Sequence, residues 1–208
     1  MKKLFLSSSF CDVSKYLKAF YGDELKGKTV TFIPTASIVE EYRGYVENDK
    51  KAFAELEIDV EILNIEQKTE QEIAETLSRN DFIYVSGGNT FYLLQELIKS
   101  KSNKLISEQI NNGKLYIGAS AGSIILSPNI EYIEGVDDKT KAPELVDYSG
   151  LAVIDFYPLP HYKNEPFTES IENIFEKYRN QIPLIPISNS QVIEYKNNKK
   201  SIKGDPNK

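Results

Sequence analysis

Gly118-Ala119-Ser120-Ala121-Gly122 is the segment whose residue types and spacing most directly suggest chemistry. It follows the apolar run Leu115-Tyr116-Ile117 and precedes Ile124-Ile125-Leu126, so the serine falls where a buried strand turns into a helix. On such a turn the hydroxyl projects above the sheet, and small neighbours let the backbone fold tightly around it. The following N–H, from Ala121, then points at a developing oxyanion, and the helix N-terminus adds positive potential. These are the parts of a nucleophile for acyl transfer. Small residues also suit plain packing at a strand–helix junction, so the motif needs a base to support it.

Only one base is available. His161, in Tyr157-Pro158-Leu159-Pro160-His161-Tyr162, is the sole histidine, and two prolines stiffen the approach to it. A serine of ordinary acidity needs a base, so the elbow and the lone imidazole support one another. Ser86-Gly87-Gly88-Asn89-Thr90 is a second turn between an apolar run and a helix. Its glycines allow close backbone approach, and Asn89 or Thr90 can cap the helix. It lacks the lysine of a phosphate-binding loop and the spacing of a dinucleotide fingerprint. In a parallel sheet, ligands bind beyond the carboxyl ends of the strands, which places the Gly88 N–H as a second oxyanion donor and Asn89 at the substrate. Acids able to orient an imidazole are plentiful: Glu131, Glu134, Asp137, Asp138, Glu144, Asp147 and Asp155. Cys11 is a rival nucleophile on paper, without a glycine turn to present it.

The elements that must position these groups alternate. Short β-forming runs at Lys3–Leu6, Thr29–Ile33, Val60–Leu63, Asp81–Val85 and Leu115–Gly118 are separated by helical spacing at 12–21, 38–56, 70–77, 90–98 and 103–111, with Gly113 as a stop. That order predicts a single-domain three-layer α/β/α sandwich over residues 1–208, with a mostly parallel, flavodoxin-like sheet. Residues 128–148 show little periodicity and read as an excursion above the sheet edge. Strands are expected at 153–159 and 184–187, a helix at 165–178, and a C-terminal hairpin of 191–195 with 200–203 across Asn197-Asn198. The terminal segment from Gly204 to Lys208 is expected to fray.

The chain has 208 residues, 40% of them apolar, and a formal net charge of −6. That apolar share supports a real core and excludes global disorder. An acidic balance without a basic block gives no footprint for nucleic acid or an anionic membrane, and no apolar run approaches a membrane span. MKKLFLSSSF is too shallow in its apolar part for a signal peptide and reads as a first strand. One cysteine and one histidine make neither a disulfide nor a zinc site. The expectation is a cytoplasmic protein without metal or cofactor, a monomer or homodimer.

Together, Leu115–Gly122, the Val85-Ser86-Gly87-Gly88-Asn89-Thr90-Phe91 segment and Pro158-Leu159-Pro160-His161 resemble the dipeptidase E, or α-aspartyl dipeptidase, family of serine peptidases. The resemblance covers the chain from Lys3 to about Lys203. It implies a fold like the class I glutamine amidotransferase domain, Ser120 as nucleophile, His161 as base, and Gly88 with Ala121 as oxyanion donors. It also implies dipeptide substrates with an amino-terminal aspartate, which need a cationic contact from Arg43, Arg79, Arg179 or a lysine. The family's acidic triad member aligns at Gly135, and Asp137 is the nearest acid, with Asp138 next. Should neither serve, a backbone carbonyl or the Asn189 side chain remains, because Ile187-Ser188-Asn189-Ser190 offers an amide where some members carry an acid. A cyanophycinase-like or other acyl hydrolase, and a small-molecule-binding member without turnover, are the competing readings.

Overall fold

The computed structural model describes residues 1–22 and 24–206. Five parallel strands, β1 (Lys3–Ser7), β2 (Thr29–Ile33), β3 (Asp59–Ile62), β4 (Phe82–Val85) and β5 (Leu115–Ala119), form most of one sheet in the order β3-β2-β4-β5-β1. β1, β4 and β5 are buried nearly throughout because the sheet is covered on both faces. α1 (Phe10–Val13), α2 (Leu17–Tyr21) and α3 (Gly44–Glu55) cover one face, over Phe5, Phe32, Tyr84 and Ile117. α4 (Glu70–Arg79), α5 (Thr90–Lys99) and α6 (Ser102–Asn111) cover the other, over Leu6, Ile83, Val85 and Tyr116. The alternation of those strand residues between the two cores is the period-2 pleat. α7 (Ala121–Ile124) follows β5, and α8 (Thr168–Tyr178) adds Ile171 and Ile174 to the second core. Among the described residues no helix is long and apolar enough to cross a membrane.

The sheet ends in a hairpin. β6 (Tyr157–Leu159) and β7 (Leu184–Pro186) pair with each other in a separate small parallel sheet, while β8 (Gln191–Lys196) and β9 (Lys199–Gly204) run antiparallel beside β1. Asn197 and Asn198 have φ of 57° and 58°, the paired positive values that a two-residue type I′ turn demands. The end of the chain is less loose than expected: Gly204 belongs to β9, and the Asp205 carbonyl accepts from Ser190 Oγ at 2.7 Å. Asn207 and Lys208 lie outside the described residues.

Three elements differ most from their sequence pattern. The helix expected from residue 38 starts at Gly44, because the Arg43 side chain donates to the carbonyls of Ile38 and Glu40 and holds that stretch as a loop. The helix expected over 12–21 breaks into α1, a 3₁₀ turn at Ser14–Tyr16, and α2. There the Ser14 hydroxyl bonds to the Cys11 carbonyl, a side-chain competitor to the helical ladder. The strand expected over 153–159 shrinks to β6. Leu151 and Val153 instead donate to the carbonyls of Ile125 and Leu126, closing the end of α7.

Candidate active site

Ser120 stands between β5 and α7 with φ 48° and ψ −110°, a strained conformation for a non-glycine residue. Its N–H donates to the Ser7 carbonyl (2.9 Å), and the buried Ser123 hydroxyl donates to the same carbonyl (2.8 Å), pinning the turn to β1. Gly122 makes the turn possible: a Cβ there would fall 2.1 Å from the Val85 carbonyl oxygen. Gly87 packs against Ser120, and Gly88 has φ 130°, with any Cβ only 2.2 Å from the Ala36 carbonyl. Both turns therefore meet at the carboxyl ends of β4 and β5, as a parallel sheet places its ligand site. The Ala121 N–H opens α7, where no intrahelical acceptor exists, and the Gly88 N–H lies just ahead of the Asn89 cap of α5.

His161 arrives from the end of β6. Its Nε2 is 3.0 Å from Ser120 Oγ, and its Nδ1 is 2.7 Å from Asn189 Oδ1. An amide oxygen accepts, so Nδ1 carries the proton and Nε2 offers its lone pair to the serine hydroxyl. The ring is also fixed from behind. The His161 N–H donates to Ser8 Oγ (3.1 Å), and Phe167 lies over the imidazole with ring centroids 4.8 Å apart. Asn164 closes the support, its N–H donating to the His161 carbonyl while its Oδ1 accepts from the Asn189 N–H at 2.8 Å. Burial holds the imidazole below its ordinary pKa, partly opposed by the bond to Asn189. The base is thus neutral at neutral pH.

The sequence expectation that Asp137 orients His161 is corrected here. Both ring nitrogens are already met by Ser120 and Asn189. Asp137 Oδ2 instead accepts from the Thr90 N–H at 2.8 Å, and burial pushes its carboxyl up to about 6. Asp138 is turned to Thr140, accepting from its N–H (2.8 Å) and hydroxyl (2.7 Å). Asn89 lines the cavity, but its amide is engaged within the protein: Oδ1 caps α5 at the Tyr92 N–H, and Nδ2 donates to the Asp138 carbonyl. These bonds tie the Gly87-Gly88 turn to the 136–141 loop. Cys11 does not line the cavity, and burial pushes its thiol up, away from the reactive thiolate.

The cavity in front of Ser120 holds about 610 Å³ and is walled by both glycine turns, the imidazole, Phe167, Tyr42 and Tyr45. Sequence reasoning missed Glu40, Tyr42 and Tyr45, which the loop before α3 and its first turn bring to the wall. Asp49 lies at its edge, 3% exposed, accepting from the Cys11 N–H at 3.0 Å and from the Tyr84 hydroxyl, with burial raising its carboxyl to about 6. Beneath it, Phe10 stacks on Phe53 (4.4 Å) and Phe32 meets Tyr84 (4.6 Å). Such pairs add roughly 0.5–1.5 kcal/mol each beyond area burial and make a stiff floor.

A strained serine on a strand–helix turn, with an imidazole at hydrogen-bond distance and a second glycine turn at the same sheet edge, forms the constellation of a serine hydrolase built on an α/β/α sandwich. Residues 4–203 match peptidase family S51, and the chain belongs to that family; it is a serine-type peptidase. It is 52% identical over 193 residues to an uncharacterised peptidase of Listeria monocytogenes, covering 93% of this chain and 94% of that one. An uncharacterised peptidase of Pasteurella multocida is 45% identical over 205 residues, 99% of both chains. A solved Listeria monocytogenes structure, of a protein provisionally designated peptidase E, superposes with a TM-score of 0.94 at 50% identity over 98% of both chains.

Proposed function

We propose that Ser120 is the nucleophile, His161 the general base, Asn189 the group that orients it, and the Gly88 and Ala121 N–H groups the oxyanion donors, in the hydrolysis of short peptides, dipeptides among them. The observation that carries this reading is the continuous contact from Ser120 Oγ through the imidazole to Asn189 Oδ1. Nε2 takes the hydroxyl proton as Oγ attacks the scissile carbonyl carbon, and the carbonyl oxygen moves between the two N–H groups. The imidazolium then gives its proton to the leaving amine, and the same base activates the water that releases the acyl group. A cavity of about 610 Å³ is of small-molecule size, which supports short substrates over folded proteins. On this reading residues 1–208 work as one cytoplasmic domain, as a monomer or homodimer, with a peptide partner and neither nucleic acid nor membrane.

The test is a panel of dipeptides and tripeptides beside casein, read by mass spectrometry. The account expects turnover of short peptides by the wild type and none by Ser120→Ala. Efficient cleavage of casein, or full activity of Ser120→Ala, would contradict it.

A further inference from the structure

The resemblance implies an amino-terminal aspartate as the residue whose carbonyl is attacked, and an aspartate needs a cation. The three arginines of the sequence are committed elsewhere. Arg43 caps the carbonyls of Ile38 and Glu40, Arg79 pairs with Glu61, and Arg179 pairs with Glu176. None of them lines the cavity. Among the described residues, the cationic side chain that does is Lys141, an exposed residue whose charge acts on Asp138 beside it.

Carboxylates line the same cavity: Glu40, Asp137, Asp138 and, at its edge, Asp49. Two of these already have donors, Asp138 from Thr140 and Asp49 from Cys11 and Tyr84. Asp137 is bonded by Thr90 alone among the described residues, and Glu40 is near enough to oppose its ionisation. The Tyr45 hydroxyl, close enough for the charges of Glu40 and Asp137 to act on it, is buried without a hydrogen-bond partner among the described residues, and its ring lies beside Gly87. Among the described residues these acids do not converge as a metal-ligand group, so the cation that suits them is organic. Thr90, which fixes Asp137, is two residues beyond the oxyanion donor Gly88. The ammonium of an unblocked first residue is attached one carbon from the scissile carbonyl, so it must lie close to that turn.

We infer that the site takes peptides with an unblocked, non-acidic first residue, the ammonium held by Asp137 with Glu40 and the Tyr45 hydroxyl, and that it rejects an amino-terminal aspartate. This rests on the reading of Ser120 and His161 given above. An ammonium supplies the counter-charge that Asp137 and Glu40 lack and donates to the orphaned Tyr45 oxygen. An aspartate side chain would add a further carboxylate to a cavity that already holds four, with Lys141 on its wall and the Arg43 charge reaching Tyr45 as the cations set against them.

The experiment measures kcat/KM for Ala-Leu, Lys-Leu, Asp-Leu and Nα-acetyl-Ala-Leu with the wild type, Asp137→Asn and Glu40→Gln. Ala-Leu and Lys-Leu should exceed Asp-Leu by at least about tenfold, and acetylation should lower the constant by about 10- to 100-fold. Asp137→Asn keeps an oxygen for the Thr90 N–H. It should raise KM for Ala-Leu more than it lowers kcat and shrink the penalty for acetylation, which a merely structural role would leave in place. Asp-Leu cleaved as well as Ala-Leu, or an acetylation penalty unchanged in Asp137→Asn, overturns the inference while the serine reading stands. Absence of fluorophosphonate labelling at Ser120 in the folded wild type overturns that reading, and the inference with it.

Discussion

His161 Nδ1 lies 2.7 Å from Asn189 Oδ1, so the imidazole that meets Ser120 is oriented by a neutral amide rather than a carboxylate. The amide fixes the tautomer but supplies no charge to the imidazolium that forms during attack. Asn189→Asp should therefore raise the His161 pKa by about 1–3 units, the usual effect of an adjacent opposite charge, and carry the acid limb of the rate profile to higher pH. Asn189→Ala should lower kcat by roughly 10²- to 10⁴-fold, since nothing then selects the tautomer. An unchanged acid limb in Asn189→Asp would show that the amide does not govern the imidazole.

The wild-type profile has its own sign. Protonated His161 cannot accept the serine proton, and burial lowers its pKa from 6.5, so the acid limb lies below that value and activity persists above it. Asp137, raised to about 6, must ionise to hold an ammonium and also loses function as pH falls. The wild-type kcat/KM should thus fall more steeply than one proton allows, and the Asp137→Asn profile should fall with a single-proton slope. Steady-state kinetics from pH 4 to 9 on Ala-Leu checks both; a limb centred above pH 7 would be incompatible with a buried, depressed imidazole.

Gly122→Ala places a methyl 2.1 Å from the Val85 carbonyl oxygen, where only backbone can give way. Overpacking of this kind costs about 1–3 kcal/mol or more, and about 2–4 °C of Tm accompanies each kcal/mol at this chain length. The variant should melt several degrees lower and label poorly at Ser120, because α7 and β4 must move apart. Thermal melting with unchanged Tm would mean that the elbow is looser than its contacts show.

Asn198 holds φ 58° at the second position of the hairpin turn, which glycine adopts without steric cost. Asn198→Gly should leave activity unchanged and alter Tm upward by about 1–4 °C. A lowered Tm would indicate that the Asn198 amide contributes more than its backbone conformation costs.

Much of the site was legible because β4 and β5 are uninterrupted apolar runs ending in glycine turns, a pattern that buried parallel strands impose. Asn189 was legible only as a fallback behind Asp137 and Asp138, for a topological reason. It follows His161 by 28 residues and reaches it because Leu159 and Pro186 are register partners, a few residues before each. That small sheet is three residues deep on either strand, too short to leave a periodic signal, and an amide in a Ser-Asn-Ser stretch carries no charge to attract notice. The wall residues Glu40 and Tyr42 were hidden differently. Ile38, Val39 and Tyr42 continue the apolar spacing of α3, yet the Arg43 bonds unwind that stretch and leave Tyr42 72% exposed. Local pattern failed where a long-range or side-chain-to-backbone bond overrode it.

The assignment of Ser120 as the nucleophile, activated by His161, is read most directly by covalent labelling with a fluorophosphonate followed by peptide mapping. The structure predicts one adduct, on the peptide that carries Ser120, absent in Ser120→Ala and formed at least about 10²-fold more slowly in His161→Ala. An adduct on any other residue, or equal labelling rates in the wild type and His161→Ala, would contradict it.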